Sequence, residues 1–199
     1  MSLEKKKTAE QAIVDLSVFG DNGLEMWLHS IRRYQFAARW LRKYDMVLDV
    51  CCGSGYGTHI MSQALPLGVF GVERDDNAVK FAKAHYPHCD FQSEDVMKLP
   101  ISGYDVFVMF ECLDHLEKKD GLELLSRMAG ARLIIASLPQ DQKFDSNPYH
   151  LAEWTADELA DRLRQSFGTV LIFGQSWATG QILFPYDERR SISVIVGMK

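Results

Sequence analysis

Two spacings of apolar residues alternate along the chain. Short apolar runs rich in β-branched residues lie at 46–51, 69–73, 104–110, 132–137, 169–173 and 191–197. Between them, apolar residues recur at helical spacing over 58–64, 77–85, 121–129 and 155–166. Ahead of the first run, Trp27, Ile31, Tyr34, Ala38 and Leu41 mark one face of a further amphipathic helix. Strands alternating with helices predict βαβ units, hence an α/β fold with a mostly parallel sheet and helices on both faces. Right-handed crossovers make such a sheet doubly wound, with ligands bound beyond the carboxyl ends of its strands.

Punctuation supports these elements. Thr155 followed by Glu158 reads as a capping box, and Asp76 or Asn77 is placed to cap the helix after the second strand. The stretch from Pro139 to Pro148 is the one long polar connection, and it follows a strand end, where functional loops sit. At 199 residues the chain reads as a single domain. Within it, residues 1–16 are expected to be a flexible tail, 17–45 a helical lid and 46–199 the sheet core.

Composition excludes little and favours little. The 47% apolar and 25% charged content is that of an ordinary globular protein. No apolar stretch approaches the ~20 residues that cross a bilayer, and no secretory leader is visible, so a cytoplasmic protein without membrane insertion is expected. A net charge of −5 disfavours nucleic acid as a partner, since backbone binding needs a positive footprint. Oligomeric state is left open. Cys51, Cys52, Cys89 and Cys112 show no C-x-x-C spacing, and free thiols are expected.

The stretch VLDVCCGSGYGT, 47–58, carries the chemistry. It has no lysine for a phosphate-binding P-loop, and Thr58 stands where a dinucleotide fingerprint needs its third glycine. Asp49, at a strand end, suits a cationic or hydroxyl-bearing ligand better than a pyrophosphate. Glu73 ends the next strand at the distance expected of a ribose-binding acid. Asp95 follows in FQSEDV, where a carboxylate can accept from an adenine amino group. An acid for an amino group, one for ribose and one for adenine together describe S-adenosylmethionine.

In order and spacing, VLDVCCGSGYGT, GVERDDNAVKFAKAHY, FQSEDVMKLP and YDVFVMFECLDHL resemble the successive motifs of class I S-adenosylmethionine-dependent methyltransferases. The resemblance spans roughly residues 29–198. It implies a Rossmann-like sheet of about seven strands, the last antiparallel. It also implies that Asp49, Gly53 and Gly55 surround the methionine moiety, that Glu73 holds the ribose, and that Asp95 with the Val96 amide reads adenine under Arg74. Cys51, Tyr56 and Phe110 complete the implied cofactor contacts, and S-adenosylhomocysteine is the implied product. Two positions depart from the family: Cys51 replaces glycine or alanine, and Ala129-Gly130-Ala131 replaces Pro-Gly-Gly.

Other candidates divide between chemistry and packing. In WLHSIRRYQFAARWL, Arg33 can pair with the methionine carboxylate and Tyr34 can line the same end, or Trp27, Ile31, Tyr34 and Ala38 simply hold the helix on and its arginines are solvated. His59, His85 and His88 are expected at the surface. Glu111, Asp114, His115 and His150 follow strands whose ends share a face. They can form an acid–base cluster with His150 or His115 as base, a site for a divalent metal, or a loop brace. NPYHLAEWTADEL and FGQSWATG resemble small bacterial methyltransferases of glycan and natural-product pathways, which implies O-methylation of a small molecule or sugar with no metal. E-x-x-D-H with H-x-x-E-W-T resembles metal-dependent methyltransferases of RNA 3′-terminal 2′-hydroxyls, the alternative. A non-catalytic S-adenosylmethionine-binding regulator is the other.

Overall fold

The computed structural model describes residues 23–139, 149–176, 178–185 and 192–199. The elements run α1 (Gly23–Ala38), β1 (Met46–Val50), α2 (Tyr56–Ser62), β2 (Gly68–Glu73), α3 (Asp76–His85), β3 (Asp90–Ser93) and β4 (Val106–Phe110). A short 3-10 turn (Leu113–His115) leads to α4 (Lys118–Arg127), β5 (Leu133–Pro139), α5 (Ala156–Arg164), β6 (Thr169–Gln175), β7 (Ile182–Leu183) and β8 (Ile192–Met198). The expected tail at 1–16, Lys5–Lys7, Trp177 and most of the 139–148 connection lie outside the described residues.

All the strands join one sheet in the order β3-β2-β1-β4-β5-β8-β6-β7. β1 to β5 pair in parallel, and β8 enters antiparallel between β5 and β6. The expected doubly wound α/β sheet with an antiparallel last strand is therefore present. It has eight strands rather than seven, because β7 adds a two-residue antiparallel pairing to β6. Two residues carry too little periodicity to be read from sequence.

Strand pleating sorts the core into two layers. From β1, Val47 points to the face covered by α1 and α2, joining Tyr34, Ala37 and Met61. Leu48 and Val50 point to the opposite face, packed with Leu124 and Leu125 of α4 and Leu159 of α5. Asp49 shares the parity of Val47, so its carboxylate is buried beneath α1 and α2. The chain winds outward from β1 in both directions, which makes the carboxyl ends of β1 and β4 the switch point.

The helix ends follow local chemistry, with one correction. Thr155 accepts from the Glu158 amide at 3.1 Å as expected. The cap of α3 is Asp75, which accepts from the Asn77 amide at 2.8 Å, not Asp76 or Asn77. Three cap-competent residues in a row left the choice to the backbone path out of β2.

Candidate active site

After β1 the chain turns through two left-handed residues, Cys51 (φ 58°) and Gly53 (φ 54°), before Gly55 (φ 83°) starts α2. A non-glycine residue in that region is strained by ~1–2 kcal/mol, a cost that Cys51 carries and Gly53 does not. The other glycines are required by the protein's own packing. A Cβ on Gly55 would stand 2.6 Å from Cβ of Ala82, and one on Gly57 would stand 2.1 Å from the Tyr34 ring. The loop thus lies flat between α1 and α3.

Each of the three acids already has work within the chain. Asp49 accepts from Tyr34 Oη at 3.2 Å and Thr58 Oγ1 at 2.7 Å. Burial raises its pKa to about 7, with Glu73 adding to the rise and the Thr58 and Tyr34 hydrogen bonds opposing it. Glu73, 5% exposed at the end of β2, accepts from the Gly53 amide at 3.2 Å and the Asp75 amide at 3.0 Å. Asp95 accepts from the Met97 amide at 2.9 Å, beside buried Val96. Arg74 is exposed.

On the other flank, Tyr34, Tyr56 and Phe110 form an edge-to-face cluster, with ring centroids 5.4 Å and 4.9 Å from Tyr34. Arg33 lies above Phe110 at 5.9 Å and is only 5% exposed. Its guanidinium donates to Gln175 Oε1 at 2.8 Å and Ser30 Oγ at 3.0 Å, while Nε has no hydrogen-bond partner. Among the described residues no carboxylate pairs with it. Gln175, at the end of β6, also donates to the His29 and Gly180 carbonyls, each at 3.0 Å, and so ties α1 to the β6–β7 hairpin.

The residues after β4 split. Glu111, itself left-handed at φ 51°, turns back to Ser137 Oγ at 2.5 Å. Asp114, His115 and His150 gather, with one ligand-type atom of each within 4.8 Å of the others. Asp114 is 4% exposed. Its Oδ2 lies 3.1 Å from His150 Nε2 and 3.9 Å from His115 Nε2, yet neither oxygen has an aligned hydrogen bond. The Leu151 amide donates to the Asp114 carbonyl at 2.7 Å, which fixes the backbone beside His150. Burial pushes Asp114's pKa up, helped by Glu111 and opposed by the two imidazoles. Burial pushes His150 down, against the pull of Asp114, with His115 adding to the fall.

Comparison with known proteins decides the class. Residues 47–131 match a methyltransferase domain family. The magnesium protoporphyrin IX methyltransferase of Synechocystis, solved with S-adenosylhomocysteine, superposes over 90% of this chain and 88% of its own, with TM-score 0.69 and 14% identity. The chain has the class I methyltransferase fold. A probable S-adenosylmethionine-dependent methyltransferase of Mycobacterium tuberculosis is 29% identical over 127 residues, 59% of this chain and 46% of that one. An O-methyltransferase of Penicillium expansum is 29% identical over 142 residues, 61% of this chain and 51% of its own. The chain spans about half the length of these curated relatives.

Within this methyltransferase domain the structure adds residues that the sequence did not single out. Arg127 of α4 donates to the carbonyls of Val96 at 3.2 Å, Met97 at 2.9 Å and Leu99, and so clamps the segment after β3. Gln175 and Ser137 hold Arg33 and Glu111 in the same way. All three act over long sequence separations, so no local pattern announces them. The expectation of free thiols holds for Cys52 and Cys89 but not for Cys51 and Cys112, which are paired with Cα atoms 5.9 Å apart. They stand at the ends of neighbouring strands, 61 residues apart in sequence, where spacing rules say nothing.

Proposed function

We propose that the protein is an S-adenosylmethionine-dependent methyltransferase acting on a hydroxyl oxygen of a small molecule or sugar. The observation that carries this reading is the His150–Asp114 pair beside the ends of β4 and β5. The buried carboxylate lies 3.1 Å from the imidazole, and desolvation favours the neutral imidazole that can accept a proton. In this reading Asp49, Cys51, Gly53, Gly55 and Tyr56 cradle the methionine end, and Arg33 takes its carboxylate. Tyr34 and Phe110 wall that end, Glu73 takes the ribose, and Asp95, Val96 and Arg74 take the adenine.

The acceptor oxygen attacks the methyl carbon in line with the departing sulfur. The C–S bond breaks, its electron pair stays on sulfur to give S-adenosylhomocysteine, and the hydroxyl proton passes to His150, with His115 alongside. The chain's contribution is alignment, exclusion of water and a fixed proton acceptor. A cytoplasmic setting belongs to this reading, although the Cys51–Cys112 pair removes part of the cysteine argument for it.

A second reading has its own observation. Asp114, His115 and His150 together offer a carboxylate and two imidazoles within 4.8 Å, a donor set that suits a divalent metal serving an RNA 3′-terminal hydroxyl. Glu111, the fourth residue expected there, is engaged with Ser137 instead. Methyl-labelled cofactor offered with nucleotide sugars, small hydroxylated acceptors and RNA, each with and without chelator, separates the readings. Chelator-insensitive labelling of a small hydroxyl compound is expected. Labelling of RNA alone, lost with chelator, would replace this reading with the second. Cofactor binding with no transfer to any acceptor would make the protein a regulator.

A further inference from the structure

Away from the cofactor loop's ligand face, α2 and the turn after α3 bring three metal-type donors together. His59 sits one turn into α2, its amide donating to the Gly55 carbonyl at 3.0 Å. After α3, Tyr86, Pro87, His88 and Cys89 form a tight turn, closed by the Cys89 amide on the Tyr86 carbonyl at 2.9 Å. Pro87 fixes the backbone inside that turn. The His59 ring stacks on Tyr86, with centroids 4.9 Å apart and planes 16° off parallel. That stacking holds Nδ1 of His59 2.8 Å from Nε2 of His88. Cys89 Sγ lies 3.7 Å from Ser62 Oγ, one helical turn along α2 from His59. One ring nitrogen of each imidazole and the sulfur all lie within 4.8 Å of one another.

We propose that His59 Nδ1, His88 Nε2 and Cys89 Sγ form a binding site for a zinc-class divalent transition metal ion. Two imidazoles and a thiolate are the borderline-soft donors that Zn²⁺ and Co²⁺ take, whereas Mg²⁺ and Ca²⁺ require oxygen. Tetrahedral bonds of ~2.0–2.1 Å to nitrogen and ~2.3 Å to sulfur put donors about 3.3–3.6 Å apart. Small side-chain rotations therefore convert the observed spacing into a coordination shell, with solvent as the fourth ligand. Two neutral imidazoles at 2.8 Å share one ring proton. An ion takes that proton's place, the proton moves to the far nitrogen of the same ring, and the thiol proton goes to solvent.

The electrostatics agree. Burial, and then the His88 ring, holds His59 below its ordinary value, so its lone pair is available at neutral pH. Burial holds the Cys89 thiol above its ordinary value, against the Ser62 hydrogen bond, so one proton leaves per ion bound. The bound ion would cross-link the first helix after the cofactor loop to the turn that opens β3. This site is independent of the methyl-transfer reading, because the Asp114–His115–His150 group contains no thiol.

The test is titration of the metal-stripped full-length protein with Co²⁺, followed optically, and then displacement by Zn²⁺. One equivalent is expected to give a thiolate-to-cobalt charge-transfer band and tetrahedral d–d absorption, both abolished by Zn²⁺. Cys89→Ser should remove the charge-transfer band. His59→Ala and His88→Ala should each weaken Zn²⁺ binding by more than the ~10–100-fold that losing an outer-shell partner costs. His85→Ala, whose ring is held on the Phe81 carbonyl at 2.9 Å, should change nothing. Retained binding of S-adenosylhomocysteine by each variant shows that it is folded. Absence of the band in the parent protein would overturn the site. So would a band that survives Cys89→Ser or that disappears with Asp114→Asn.

Discussion

The carboxylates at the ends of β1, β2 and β3 differ from the polar groups at the ends of β4 and β6 in one respect. On the first side the chain supplies the partners. Asp49 has Tyr34 and Thr58, Glu73 has two backbone amides, and Asp95 has the Met97 amide. On the second side particular atoms lack one. Arg33 Nε and both carboxylate oxygens of Asp114 are buried without an aligned hydrogen bond. An unmet buried polar group costs ~1–3 kcal/mol, so under the proposed function a ligand has the most to satisfy on that side. Under the proposed function the three acids are held ready by the chain, whereas Arg33 and Asp114 are completed by the methionine carboxylate and the acceptor.

The contrast predicts unequal mutational effects. The largest belongs to His150→Ala, which should lower turnover ~10²–10⁴-fold, the worth of a positioned base, while leaving S-adenosylhomocysteine affinity unchanged in calorimetry. Because His150 must be neutral to act, and burial lowers its pKa, parent turnover should rise with pH through a midpoint below ~6.5 and be flat by neutrality. A midpoint above that value would remove the desolvated-base role.

Next comes Glu73→Ala, expected to weaken S-adenosylhomocysteine binding by ~1.5–3 kcal/mol, the range for a hydrogen bond to a charged group. Arg33→Ala should cost a similar amount for the intact cofactor and nothing for an analogue lacking the methionine carboxylate. Equal losses for both ligands in Arg33→Ala would mean that Arg33 only docks α1.

Asp49→Asn should have a smaller effect on cofactor binding, and its main readout is stability. The folded pKa of Asp49 is raised to about 7 from the ~3.9 of an unfolded chain. Its contribution is therefore fully present below pH ~4 and lost as pH rises through 7. The unliganded parent should lose stability relative to Asp49→Asn across that window, by ~1.4 kcal/mol for each pKa unit that separates the folded and unfolded states. Denaturant titrations at several pH values check it, and parallel curves would mean the carboxylate is better solvated than its burial indicates.

Arg127→Ala should be the mildest, lowering cofactor affinity by about 0.5–1.5 kcal/mol through a loosened 96–99 segment.

The stretch from β1 to the segment after β3 was largely legible because its signals are local. A strand, a glycine turn, a helix and an acid at each following strand end can be read in one pass from Val47 to Val96. Even there the exact cap escaped, since Asp75, Asp76 and Asn77 are equally competent by type. The groups after β4 and β5 were legible only as a set of side chains. Asp114, His115 and His150 do meet, but Glu111 leaves them for Ser137, 26 residues on. Arg33 could be read as a partner for the methionine carboxylate or as one more solvated arginine, and neither reading foresaw its burial. Its burial depends on Gln175, 142 residues away, and no periodicity connects the two. The Cys51–Cys112 pair went unseen for the same reason: only the strand order places it.

The clamp by Arg127 has a consequence for how the domain tolerates change. Every acceptor it uses in the 96–99 segment is a main-chain carbonyl, and carbonyls are blind to residue type. Side chains there can be exchanged to suit a different neighbour while the path of the segment stays put. The exchange of Arg127 itself has no such freedom, since a lysine offers one point charge where the guanidinium offers a planar fork. Responsibility for the shape of four residues is thus vested in a fifth, about thirty positions away, and drift in the four goes unpunished only while that one is kept.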